Sequence, residues 1–256
     1  TVFPAVAPLI GAAIIAGFGW RGIFGAFVVF SVVSVGWLAI RQPETLPPEA
    51  RRPLRAKRLL ADAREALAHR QMQFSIAAQT LIFTALFGSL SSIQQIFDLT
   101  YGRGETFPLW FALIALLAAP AAPINGQLVM RLGMRPMIRR ALALSASAAF
   151  GTAAFLWLFA GPGEGFPVFF LWSVTVFATA AFTIGNLNAL ALEPLGHIAG
   201  TAASIMGALA TVGGAIGGAL IGQLYDGTAV PVALGVGLAL SIAGLVMIRM
   251  PREGVD

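Results

Sequence analysis

The chain has 256 residues, 58% of them hydrophobic and 11% charged, with a formal net charge of +5 and a mean hydropathy of +0.84. A soluble domain averages about half apolar and about a quarter charged residues, and long stretches here hold no polar residues to cover a water-facing surface, which excludes a soluble globular fold. The absence of cysteine excludes a disulfide framework and a thiolate metal site.

A hydrocarbon core about 30 Å thick takes about 20 helical residues to cross. Eight apolar runs of suitable length, bounded by charge or turn residues, lie at 1–17, 20–40, 73–97, 107–130, 137–160, 166–190, 198–224 and 228–248. They must be helices, because a helix satisfies its own backbone hydrogen bonds in lipid and an open sheet does not. A transmembrane barrel strand would alternate, and "FFLWSVTVFATAAFTIG" does not. The expected fold is therefore all-α, a polytopic membrane helix bundle of about eight transmembrane helices.

The first run, "TVFPAVAPLIGAAIIAG", lacks the basic start of a signal peptide and continues directly into "FGWRGIF". It is short and residue 1 is Thr, so the expectation is a chain that begins inside a larger protein. After the second run comes the one long polar interruption, residues 41–71, whose Pro43, Pro47, Pro48 and Pro53 break regular structure. There "LRAKRLLADAREALAH" places Ala56, Leu60, Ala63 and Leu67 on one helical face. That pattern suits an amphipathic helix on the membrane surface or under the bundle, and equally a solvated charged linker.

The third run carries much of the polar content inside the membrane: Gln79, Ser89, Ser91, Ser92, Gln94 and Gln95. Asn125, Asn186 and Asn188 complete the set in later runs, and Asp98 closes the third run where water reaches it. Amides are costly in lipid and should face the bundle interior or a wet cavity. Gln94, Gln95, Asn186 and Asn188, with the aromatics Phe87, Trp110 and Phe182, are the candidates to touch a small-molecule substrate; interhelical hydrogen bonding is their plain alternative role. Pro120 and Pro123 bend or kink the fourth run.

Between the fourth and fifth runs, "NGQLVMRLGMRPMIRR" concentrates Arg131, Arg135, Arg139 and Arg140. If the first run starts in the cytoplasm, the segments 41–72, 131–140 and 249–256 are cytoplasmic and hold eight, four and two basic residues, fourteen of the sixteen. Only Arg21 and Arg103 fall outside, so the positive-inside rule puts the C-terminus in the cytoplasm. The same placement excludes nucleic acid as a partner, because no basic face is interleaved with aromatics.

Near the end of the sixth run Glu193 and His197 stand four apart, but Pro194 and Gly196 interrupt the helix and no third ligand is near, so no metal site is expected. The seventh run, "GALATVGGAIGGALIG", sets Gly213 to Gly217, Gly214 to Gly218 and Gly218 to Gly222 at four-residue spacing, which lets two helices approach closely. No nucleophile with a base, phosphate loop or carboxylate pair occurs, so no enzyme and no cofactor are expected.

Two helices, a long basic loop and six more helices match the later part of a transporter built from two six-helix repeats. The residues resemble the major facilitator superfamily, and within it the Bcr/CflA-type drug efflux transporters, from the fifth helix to the twelfth. In "APLIGAA" at 7–13, Pro8 and Gly11 match the fifth-helix antiporter motif, while Ala7 and Ala12 replace two of its glycines. In "GQLVMRLGMRP" at 126–136, Gly126, Leu128, Arg131, Gly133 and Arg135 match the superfamily's cytoplasmic signature, and Met130 stands where it often has Asp. "SSIQQIFDLTYGRGETFPLWFALIAL" at 91–116 is similar to the subgroup's junction of the seventh and eighth helices.

The resemblance implies a domain plan: 1–40 as the last two helices of the N-terminal half, 41–72 as a cytoplasmic linker with an amphipathic helix, and 73–256 as the C-terminal six-helix half. It implies a proton-coupled efflux transporter of the bacterial inner membrane, acting on drugs or other small amphipathic organic molecules, whose coupling acids belong to missing N-terminal helices. Gly133 would supply a tight turn, and Arg131 and Arg135 would bond helix-end carbonyls or carboxylates of the other half at a gate; orientation of the hairpin alone is the alternative. A membrane structural or assembly protein with a static bundle is the competing function.

Overall fold

The computed structural model describes residues 2–42, 56–161 and 163–251, with side chains from Ile10 onward. Among them every regular element is helical. The elements are α1 (Val2–Phe18), α2 (Arg21–Arg41), α3 (Ala56–Ala68), α4 (Arg70–Gln95), α5 (Phe107–Ala118), α6 (Ala121–Leu132), α7 (Met134–Phe159), α8 (Phe166–Leu192), α9 (Ala199–Gly222) and α10 (Val230–Arg249).

Six segments are long and apolar enough to cross a membrane, one of which, Phe166–Gly222, comprises both α8 and α9 joined by the 3-10 turn Glu193–Ile198. With α1, whose 17 residues fall just short, these correspond to the eight expected runs. The fourth run is two pieces, α5 and α6. Ala119 and Pro120 keep helical dihedrals at the join, so what is lost is hydrogen bonding, because Pro120 and Pro123 have no N–H to give.

The sequence dictates how α4 and α9 meet. A Cβ on Gly213 would stand 2.7 Å from Thr80 Cγ2, one on Gly218 2.7 Å from Phe87 Cβ and 2.8 Å from the Gly88 nitrogen, and one on Gly222 2.7 Å from Ser91 Oγ. Gly214 and Gly217 lie against Phe83 and Thr84 in the same way. Lipid tails are as apolar as leucine, so helices in a bilayer hold together by van der Waals contact at short range, which these glycines permit. The four-residue spacing thus builds a seam against α4. Helices α7, α8 and α10 complete this core, while α1 lies against α5 and α2 touches α1.

Helix α3 forms within the expected linker segment and rests beside the starts of α4 and α9. Ala66 is buried with Asp62 and Ala63 partly covered, while Leu60 and Leu67 of the expected apolar face are exposed. A close approach admits the small alanine and leaves the leucines outside. Glu65 Oε1 meets His197 Nε2 at 2.6 Å, an exposed pair that contributes little by itself. The proline cluster at 43, 47, 48 and 53 lies outside the described residues.

Candidate functional site

At the end of the bundle where the basic residues gather, one arginine organises four helices. Gly133 takes φ +79 and turns the chain from α6 into α7, a conformation that disfavours any residue with a Cβ. Two positions on, Arg135 donates from Nη2 to Gln71 Oε1 at 2.8 Å and from Nη1 to the Met250 carbonyl at 3.3 Å and the Pro251 carbonyl. Gln71 in turn donates from Nε2 to the Leu190 carbonyl at 2.6 Å. The ends of α4, α7, α8 and α10 are thereby joined through one guanidinium, and a cation beside helix-end carbonyls is favourable. All these partners belong to or adjoin α4, α8 and α10, so Arg135 braces this bundle from within. Arg131 is exposed and has no partner among the described residues.

The opposite end is aromatic. A π-helical turn, Ile96–Thr100, ends α4 and buries Phe97 completely. Its ring lies 5.4, 5.3 and 5.8 Å from those of Phe107, Phe166 and Phe169, mostly edge-on as ring quadrupoles prefer. Trp110 packs 4.9 Å from Phe166 and donates its Nε1–H to Thr106 Oγ1 at 3.2 Å. The Arg103 guanidinium sits over both, 4.3 Å from the Phe166 ring centre and 5.3 Å from that of Trp110. Desolvation in this cluster pushes the Tyr101 phenol up to about 12.

These two ends separate the substrate candidates. Gln71 beside Leu190 and Phe97 beside Phe166 set α4 and α8 antiparallel. At about 1.5 Å per residue, Asn186 then lies level with Ser75, and Gln94 lies about 28 Å farther along the axis. Gln94 and Gln95 are exposed near the aromatic end, where Trp110 also sits. Asn186, Asn188 and Phe182 lie toward the basic end. Asn186 is buried and donates to Asn125 Oδ1 at 2.9 Å and to the Phe182 carbonyl at 2.8 Å; Asn188 and Phe182 are half-buried. No single small molecule reaches both groups at once.

The motif glycines differ among themselves. Gly133 makes its turn, whereas a Cβ on Gly126 or Gly11 would meet nothing within 4 Å among the described residues. Pro8 lies in α1 at a position whose side chain is outside the described ones. Glu193 and His197 form no pair, because His197 faces Glu65.

Two positions matter more here than the sequence suggested. Gln71 carries the link from Arg135 to α8, and its only signal was an amide at a helix start. Gln79, with Ser75 one turn before it, is buried in α4, and neither Gln79 Oε1 nor Ser75 Oγ has a hydrogen-bond partner among the described residues. An unpaired buried polar atom costs about 1–3 kcal/mol, so this pair marks a polar spot inside the bundle, level with Asn186.

Comparison with known proteins adds the following. The Major Facilitator Superfamily profile matches residues 1–218. A Haemophilus influenzae protein named bicyclomycin resistance protein homolog is 27% identical over 94% of this chain and 60% of its own length. An uncharacterised transporter of the same superfamily from Bacillus subtilis, YdgK, is 26% identical over 99% of this chain and 63% of its own length. The chain therefore spans about three fifths of the length of these relatives. No solved structure matches it.

Proposed function

This chain belongs to the major facilitator superfamily, and on that premise we propose that it is the fifth-to-twelfth-helix part of a secondary transporter that expels drugs or other small amphipathic organic molecules in exchange for protons. The observation that carries the reading is the family match over residues 1–218. The relative named for bicyclomycin resistance supports efflux of an organic molecule. The chemistry of the candidate residues supports it too: amides and aromatics suit an amphipathic solute better than a sugar, which needs more hydrogen-bonding groups.

In this proposal residues 1–40 belong to the N-terminal half, 41–72 link the halves on the cytoplasmic side, and 73–256 form the C-terminal half with its C-terminus in the cytoplasm. Segment 73–256 moves as one body, braced at its base by Arg135 and packed through the seam between α4 and α9. Asn186, Asn188 and Phe182 form a lower contact region for substrate, with Gln79 and Ser75 behind it. Gln94, Gln95 and Trp110 form an upper one, visited at a different stage of the cycle. Pro8, Gly11, Gly126 and Arg131 face the other half of the transporter. The missing cavity wall and the proton-coupling acids belong to helices that precede Thr1 in the complete protein.

The test begins with the coding DNA upstream of the Thr1 codon. The extended chain and the present one are expressed in a bacterium lacking its own efflux pumps, and accumulation of a fluorescent organic cation is followed. The expected result is lower accumulation with the extended chain alone, abolished by an uncoupler. Equal accumulation in both strains overturns the reading and leaves a static membrane bundle; efflux that ignores the proton gradient overturns the exchange for protons.

A further inference from the structure

A groove of about 770 Å³ runs along the surface of the bundle between α7 and α10. Its two ends differ chemically. Toward the basic end it is lined by Arg139 and Arg140; beyond them its walls are apolar or small, including Ala143, Phe150, Leu240 and Gly244. No acidic residue lines it, and neither arginine has a hydrogen bond or ion pair among the described residues. The contrast with Arg135, one turn earlier and bonded to three partners, shows that the two are not held by the protein.

The flanks of the groove, Leu144, Leu245 and Ile248, are 73, 50 and 57% exposed, as expected of a surface that meets lipid tails. An arginine at such a surface is costly without a counter-charge. From Pro136 to Phe150 the α7 wall is about 21 Å long at 1.5 Å per residue, which is one leaflet of a hydrocarbon core about 30 Å thick together with its head-group layer. A Cβ on Gly244 would meet nothing within 4 Å, so the channel is open at mid-length.

We propose that this groove holds one anionic phospholipid, its phosphate on Arg139 and Arg140 and one acyl chain along Ala143, Phe150 and Gly244. Guanidinium groups pair with phosphate oxygens through two parallel hydrogen bonds, and the apolar channel gives the attached chain a place that a free phosphate ion has no use for. Basic pockets between transmembrane helices commonly serve such head groups.

The chain is reconstituted in phosphatidylcholine vesicles containing a minor share of phosphatidylglycerol, re-extracted in mild detergent, and the lipid retained is counted by mass spectrometry. The wild type retains phosphatidylglycerol in preference to phosphatidylcholine. At about fivefold per basic residue, Arg139→Gln with Arg140→Gln lowers that retention about thirtyfold. Gly244→Leu, whose Cβ would meet nothing within 4 Å and whose side chain takes up the channel, lowers it with both arginines intact, whereas Arg64→Gln on exposed α3 changes nothing. Unchanged retention in the double arginine variant overturns the proposal. So does loss in that variant with full retention in Gly244→Leu, which would describe a surface phosphate contact with no chain in the groove.

Discussion

Helix α2 is more apolar than α4, yet none of its residues is buried, whereas α4 buries eleven, among them Gln71, Ser75, Gln79, Gly88, Ser89 and Ser92. In water the ranking would be reversed, because burial there follows hydrophobicity. In a bilayer hydrophobicity places a helix across the membrane and small or polar residues decide what it packs against. α2 carries the first signal; its main neighbour among the described residues is α1, and in the proposed arrangement its small residues, Gly22, Gly25, Ser31, Ser34 and Gly36, meet other helices of the N-terminal half.

The sharpest way to break this contrast is to enlarge a glycine on each side of it. Gly218→Leu drives a side chain into Phe87 and the backbone of Gly88 and should cost about 3 kcal/mol or prevent folding. Gly25→Leu in α2 meets nothing within 4 Å and should change stability by about 0.5 kcal/mol or less. Thermal unfolding in detergent followed by circular dichroism measures both, and equal effects would contradict the seam.

A smaller effect compares two arginines. Arg135→Gln removes bonds to Gln71, Met250 and Pro251 and should lower stability by about 2–3 kcal/mol, since charge-assisted bonds are among the stronger ones. Arg21→Gln, at the start of α2, loses only a contact over the Trp20 ring at 4.5 Å, worth about 0.5–1 kcal/mol. Hydrogen exchange at the ends of α4 and α10 should rise in the first variant alone.

Smaller again, Asn186→Ala breaks the bond to Asn125 at about 0.6–1.7 kcal/mol, the range for interhelical hydrogen bonds in membranes. Ser31→Ala in exposed α2 should be silent when both variants are followed by thermal unfolding in detergent.

The last and smallest prediction concerns pH. The Tyr101 phenol is raised from 10.0 to about 12 by burial, so the folded state favours its neutral form. That contribution is fully present below pH 10 and is lost as pH rises from about 10 toward about 12. Tyr101→Phe should flatten the alkaline limb of the stability profile, and an unchanged limb would assign it to other groups.

Much of the fold was legible in the sequence because lipid leaves few choices. Apolar run length gave the spans, and the glycine spacing in α9 announced a close approach. Its partner, α4, was not announced, because spacing says that a helix can come near and says nothing about which helix arrives. In α3 periodicity found the apolar face of Leu60 and Leu67, while contact with the bundle falls on Ala66, a matter of side-chain size that periodicity does not weigh. The motif singled out Gly133 and Arg135, but it looked for the partners of Arg135 in the other half, whereas Gln71, Met250 and Pro251 belong to or adjoin α4 and α10. The bond through Gln71 joins residues far apart in sequence, which only the folded chain brings together. The separation of Gln94 from Asn186 follows from antiparallel helix directions, and a search for polar residues alone carries no information about level.

The central claim is that 73–256 is one rigid body that moves against α1 and α2. The chain has no cysteine, so single pairs can be spin-labelled without background. Labels replacing Gln73 and Met130, both exposed, report distances inside the body, and labels replacing Arg41 and Met130 report across its boundary. With the extended chain in proteoliposomes, any cysteine outside the present sequence replaced, and a pH gradient imposed in the presence of an organic cation, the account predicts an unchanged Gln73 to Met130 distance and a shifted or two-peaked Arg41 to Met130 distance. A change inside the body as large as the change across it would contradict the account.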